Sequence, residues 1–154
     1  MRDLEVIRYQ KRLDGLFKQV SLMRDNAELQ SHWARYLCIL VSGFLEVSVR
    51  SLYSGYAKSK AAPYVVNFVE RNLERLQNPN MEKILSIAVS FSPEWEAELR
   101  AATEGALKDA VDSVVANRNS ISHGQDVGIT YVRVSDYYKR VVRVLELVER
   151  HCAR

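Results

Sequence analysis

The chain has 154 residues, 47% of them apolar, with 22 basic and 19 acidic side chains and a formal net charge of +3. That length fits one domain, expected over 1-154 around one hydrophobic core, and the apolar share excludes wholesale disorder. Only six glycines and three prolines disfavour a turn-rich all-β fold, and so mild a basic excess permits contact with a polyanion without marking a surface that coats DNA.

In chain order, the spacing of Val6, Leu13, Leu16, Phe17, Val20 and Met23 predicts an amphipathic helix over 3–24. Asp25 and Asn26 offer a break and an N-cap. A second helix is expected over 27–57. Trp33, Leu37, Leu40, Val41 and Phe44 line one side of it, and Ala34, Cys38, Leu45, Val49 and Leu52 line the next. So wide an apolar surface marks a central helix or one shared with a second subunit. Pro63 suits the start of a helix through 77, ended by Asn78-Pro79-Asn80. Short helices follow over 81–89 and from Ser92-Pro93-Glu94, the latter carrying Trp95 and Leu99 inward. A helix opened by Thr103 or Glu104 runs to about Ser120, and Gly124 is placed as its stop. Residues 127–134 alternate apolar and polar and read as an extended piece, too short to anchor a sheet. Ser135 is expected to cap a last helix to Cys152 with Tyr138, Val141, Val142, Leu145 and Val148 inside. The expected fold class is an all-α helical bundle of four to five main helices plus short ones.

Cys38 and Cys152 sit in helical apolar patterns and read as small buried hydrophobes, without a disulfide framework. No Cys-x-x-Cys or His/Cys ligand cluster occurs, so no metal and no cofactor are expected. The start of the chain lacks the apolar core of a signal peptide. The most apolar run, 38–45, is short for a membrane span and is flanked by Arg35, Glu46 and Arg50. A cytoplasmic protein that does not enter membranes is the expectation.

The stretch Arg118-Asn119-Ser120-Ile121-Ser122-His123-Gly124 carries the chemistry. Arginine is a permanent planar cation suited to a phosphate oxygen, and histidine exchanges protons near neutral pH. Five residues of straight helix turn about 500°, so Arg118 and His123 do not share a face unless the helix loosens near Ser120. The serine-rich, glycine-terminated window makes such loosening the expectation.

This pattern resembles the HEPN superfamily, small helical-bundle proteins whose active members are ribonucleases with an arginine, four to six residues and a histidine late in a helix. The Arg118-Asn119 start and the His123-Gly124 end are similar to its RiboL-PSP type. The bare pattern is common by chance, and its position after an apolar-periodic helix is what gives it weight. Some members carry a tyrosine two residues after the histidine, where this chain has Gln125. The resemblance implies Arg118, Asn119 and His123 as catalytic residues, RNA as substrate, and a two-fold homodimer in which two motifs meet. It implies a metal-independent endoribonuclease, with a toxin or antiphage defence role and a restraining antitoxin or defence-complex partner protein. The alternative it leaves is a catalytically silent HEPN module that binds a partner protein or a nucleotide.

Plainer readings stand beside these. His123 is also suited to a helix terminus beside glycine. Asn119 fits the end of a helix without any further role. Arg118 is also a partner for Glu46, an acid inside an apolar helix. His32, beside Trp33, reads as structural, and His151, near the chain end with Arg150 and Arg154, reads as frayed and exposed. Arg133, Lys139, Arg140 and Arg143 form either a guide for RNA or a solvated face, the latter favoured. Tyr131 and Tyr137 are candidates for stacking on bases, whereas Tyr138 lies in the apolar stripe.

Overall fold

Side chains able to accept a hydrogen bond stand where most of the helices begin, and they fix the starts. The computed structural model describes residues 2–154, so that Met1 lies outside the described residues. It contains α1 (Leu4–Ser21), α2 (Ala27–Lys60), α3 (Pro63–Leu73), α4 (Met81–Phe91), α5 (Pro93–Thr103), α6 (Ala106–Ser122) and α7 (Tyr131–Cys152). Asp3, Asn26, Asn80, Ser92 and Thr130 each accept a backbone N–H from the first turn of α1, α2, α4, α5 and α7. A cap of this kind satisfies one of the amides that a helix start leaves unpaired, and contributes about 1 kcal/mol. Gly105, at φ 93°, makes the turn between α5 and α6, a backbone region closed to most side chains.

The expected all-α class holds, and the described residues include no strand. α2 is the axis of the bundle. α1 returns antiparallel along it, with Tyr9 Oη donating to Leu40 O and Gln30 Nε2 to Val20 O. α6 also runs antiparallel to it, from a contact of the Cys38 thiol with Val114 O down to the loop beyond its end, where Arg35 meets Val127 O. α7 lies parallel to α2. Phe17 of α1 stacks on Tyr138 of α7 at 4.7 Å between ring centroids, while Phe44 of α2 meets the same ring edge-on. A second aromatic column of Tyr53, Phe91, Trp95 and His151 ties the far half of α2 to α4, α5 and α7. Leu37, Cys38, Val41, Phe44, Leu45 and Val49 are buried along α2. Each large apolar side chain so enclosed contributes about 1.5–3 kcal/mol of transfer free energy. By length and hydropathy α2 alone among the described helices would suffice to cross a membrane. Most of its apolar residues belong to the core packed by α1, α3, α6 and α7, which accounts for them.

Several sequence expectations need correction. α2 continues to Lys60, and α3 stops at Leu73, after which Arg75 and Leu76 bond back three residues to Asn72 and Leu73. The 127–134 stretch forms no strand: 131–134 already belong to α7, and only 127–130 stay outside a helix, with Thr130 extended. Thr130, not Ser135, caps α7, because the stripe of Val134, Tyr138 and Val141 already belongs to its first turns. His151 is neither frayed nor exposed. It sits within α7, 5% exposed, one turn beyond the buried Val148.

Candidate functional site at the end of α6

The motif closes α6. Val111, Val114 and Val115 form its buried stripe, and Arg118 extends that stripe by one turn, half-buried. Asn119 and His123, four residues apart, share a neighbouring face and are both exposed. The helix does not loosen at Ser120. His123 N–H donates to Asn119 O at 3.1 Å, an ordinary helical bond. Gly124, at φ 72°, then ends the helix. Its N–H bonds Ile121 O and that of Gln125 bonds Ser120 O, both at 3.0 Å. This pair of bonds is a Schellman closure, which needs a left-handed residue and therefore favours glycine. Gly124 is thus the stop that the sequence indicates. Because the helix stays regular, one chain leaves the two functional side chains about 140° apart around its axis.

Arg118 is not paired with Glu46. Glu46 is engaged by Arg50 at 3.2 Å and by Asn78 N–H at 2.6 Å. The only side-chain partner of Arg118 among the described residues is Asn119 Oδ1, at 3.4 Å, and no carboxylate neutralises its guanidinium. That contact is long and weak.

A neighbourhood from the start of α2 faces the loop that follows the motif. Arg35 donates to Asp126 Oδ1 at 3.1 Å and to Val127 O at 3.4 Å, and lies 3.0 Å from His32 Nδ1. His32, Trp33 and Tyr36 frame an open apolar cavity of about 320 Å³, with the two aromatic rings edge to face. Sequence reasoning gave Arg35 no role, because its contacts with Asp126 and Val127 cross more than 90 residues. Of the basic residues after the motif, Arg140 is paired with Asp136 and Arg143 with Glu146, while Arg133 and Lys139 are exposed. Tyr131 donates to Phe17 O and packs on the core, and Tyr138 is buried, so neither presents a face to a base. Burial pushes the Cys38 and Cys152 thiols up to about 12, which leaves no thiolate nucleophile at neutral pH. Among the described residues no three His, Cys, Asp or Glu side chains gather as a metal site requires.

An all-helical bundle with an unneutralised arginine and an exposed histidine at the end of its penultimate helix defines the class. The family model for RiboL-PSP-HEPN matches residues 5–154, and the chain belongs to that family, within the HEPN superfamily, which includes ribonucleases. No curated protein and no solved structure matches the chain.

Proposed function

We propose that this protein is a metal-independent endoribonuclease of the HEPN kind, acting on RNA as a toxin or an antiphage defence effector. The observation that carries the reading is the free guanidinium of Arg118 one turn before the exposed imidazole of His123. A half-buried arginine that serves structure alone is usually paired with a carboxylate, and this one is not. Family membership supports the reading, and the Arg118–His123 spacing resembles the superfamily's motif.

In the proposed reaction the ribose 2′-hydroxyl attacks the adjacent phosphorus. The O2′–P bond forms and the P–O5′ bond breaks. A general base takes the 2′-hydroxyl proton and a general acid protonates O5′, leaving a 2′,3′-cyclic phosphate and a 5′-hydroxyl. His123 serves in one of these roles and its copy in a second subunit in the other. Arg118 holds the scissile phosphate and stabilises charge in the transition state. Asn119 orients Arg118 or the phosphate. The need for a 2′-hydroxyl selects RNA over DNA. Two-fold pairing overcomes the 140° separation within one chain, because a second motif is then available on the facing surface. The exposed Leu29 and Tyr36, at the same end of α2 as the motif, provide apolar area for such pairing.

The test is incubation of wild type, His123→Ala and Arg118→Ala with end-labelled RNA in EDTA. Cleavage by wild type alone, with cyclic phosphate ends and a loss of at least about a hundredfold in each variant, is the expected result. Equal cleavage by all three, or none by wild type across varied RNAs, would instead favour a silent module. The low relief of the site within one chain, with Asn119 and His123 both on an open surface, is what favours that second reading.

A further inference from the structure

α3 is held by one neighbour and leaves its other side bare. It rests on α2 through the buried Val66 and Leu73 and through Glu70, which accepts from Ser54 Oγ and pairs with Lys58. Tyr64 and Phe68, four residues apart on α3, are 88% and 70% exposed. Two adjacent aromatic rings left this open are unusual on a surface with no partner. Between α3 and α4 runs a groove of about 550 Å³. Phe68 and Val69 stand on one wall, Ile87 on the other, and Leu73 and Phe91 also line it.

Basic side chains flank the groove's lining in sequence: Arg71 precedes Asn72 and Leu73, and Arg75 follows them. The short 74–80 connection brings the end of α3 beside the start of α4. Arg71 and Arg75 are exposed there without a carboxylate partner among the described residues, and Lys83 lies close by, bonded only to Gln77 O. The acids of α3 and α4 do not offset them. Glu70 is taken by Lys58 and Glu82 by Arg100, so Glu74 alone remains.

We propose that this groove docks an amphipathic α-helix of a second protein, with its apolar face on Phe68 and acidic residues at the end that meets Arg71, Arg75 and Lys83. The concave shape favours a helix over a membrane surface, because two helical walls enclose an i, i+3, i+4, i+7 apolar stripe. Basic residues at one end set its direction. A second copy of this chain does not fit the role. In the proposed dimer the apolar area that a second copy uses is that of Leu29 and Tyr36, at the motif end of α2. The groove also lies at the other end of α2 from the motif. Arg35 marks the motif end and Ser54 the α3 end, about 30 Å apart at the helical rise. An interface that joins two motifs therefore leaves the groove free. The inference does not rest on ribonuclease activity.

The probe is a phage-displayed library of helical peptides of about 16 residues, selected on the immobilised wild-type protein. The expected winners carry an apolar stripe with Asp or Glu clustered at one end. A labelled winner should bind at least about tenfold more weakly to Phe68→Ser and to the double variant Arg71→Glu, Arg75→Glu, with circular dichroism unchanged. Four results would each overturn the proposal: no enrichment, winners without acids, equal affinity for Phe68→Ser, or binding of phosphatidylserine vesicles in place of peptides. A wild-type dimer that Tyr64→Ser with Phe68→Ser dissociates would also do so, by making a second copy the occupant. None of these outcomes alters RNA cleavage by Phe68→Ser, so the two readings fail separately.

Discussion

Arg35 spans the gap between the start of α2 and the loop after His123, yet its partners are exposed enough that the ties add little to stability. Asp126 is almost fully solvated, and an ion pair of that kind contributes about 0–1 kcal/mol. Its effect is on order. Arg35→Ala should leave the melting temperature nearly unchanged while amide exchange over 124–129 accelerates severalfold; unchanged exchange would remove Arg35 from any role in placing the loop. His151 has the opposite character. Its Nε2 faces Glu98 at 3.1 Å, and its Nδ1 is buried without a partner. Burial holds its pKa below the ordinary value, helped by Arg154 and only partly offset by Glu98. A second proton would sit on Nδ1 with nothing to accept it. The folded state therefore binds fewer protons than the unfolded chain below about pH 6.5, so this stabilisation is complete above that pH and declines as pH falls through the folded pKa. The melting temperature of His151→Gln should depend less steeply on pH between about 6.5 and 5 than that of wild type; parallel curves would refute the assignment. The two residues also differ in legibility. Arg118 and His123 could be found because their relation is local. Arg35 could not, since its contacts cross 92 residues. His151 was readable and misread: Val144, Val148 and His151 continue one stripe, which outweighs proximity to the chain end.

Helix starts were legible wherever a capping side chain preceded an apolar stripe, as at Asp3, Asn26, Asn80 and Ser92. α7 was the exception. Both Thr130 and Ser135 can cap, and over so short a stretch as 127–134 a period of two is hard to tell from one of 3.6. The end of α3 was overrun because the turns at Arg75 and Leu76 keep bonding backward after the α-helix has stopped. The end of α6 was marked by Gly124, but the inferred slack before it was not there. Seryl side chains tolerate a regular helix when the closure beyond them is well formed. That closure is open to test. Gly124→Ala places a side chain at φ 72° and should cost about 1–2 kcal/mol, with Gly124→Asn less affected because asparagine tolerates the left-handed region. On the proposed mechanism, cleavage should fall in the same order, since His123 is the residue the closure fixes. A Gly124→Ala protein as stable and as active as wild type would show that the helix end needs no glycine.

At the scale of the whole molecule, the all-helical class was legible from few glycines, few prolines and sustained 3.6-residue periodicity. The groove between α3 and α4 was not, because a stripe that faces a gap looks the same in sequence as one that faces a core. The proposed composite site makes a prediction that no single-chain site shares. If the His123 copies of both subunits act on one phosphate, an equal mixture of wild type and His123→Ala after subunit exchange should retain about a quarter of the cleavage of the same total of wild type, since the mixed half of the dimers lacks one histidine, whereas a single-chain site would retain about half. Retention of about half, or a strict monomer by sedimentation at high concentration, would dismantle the composite site. The central position of α2 also sets an order of events during synthesis. Its longest partner, α7, begins about seventy residues after α2 ends. At about 5–20 residues per second, the ribosome leaves the apolar side of α2 that α7 will cover open to solvent for several seconds. A nascent chain truncated before Tyr131 should accordingly be insoluble or held by chaperones, while the finished chain escapes both fates once its last helix closes the core.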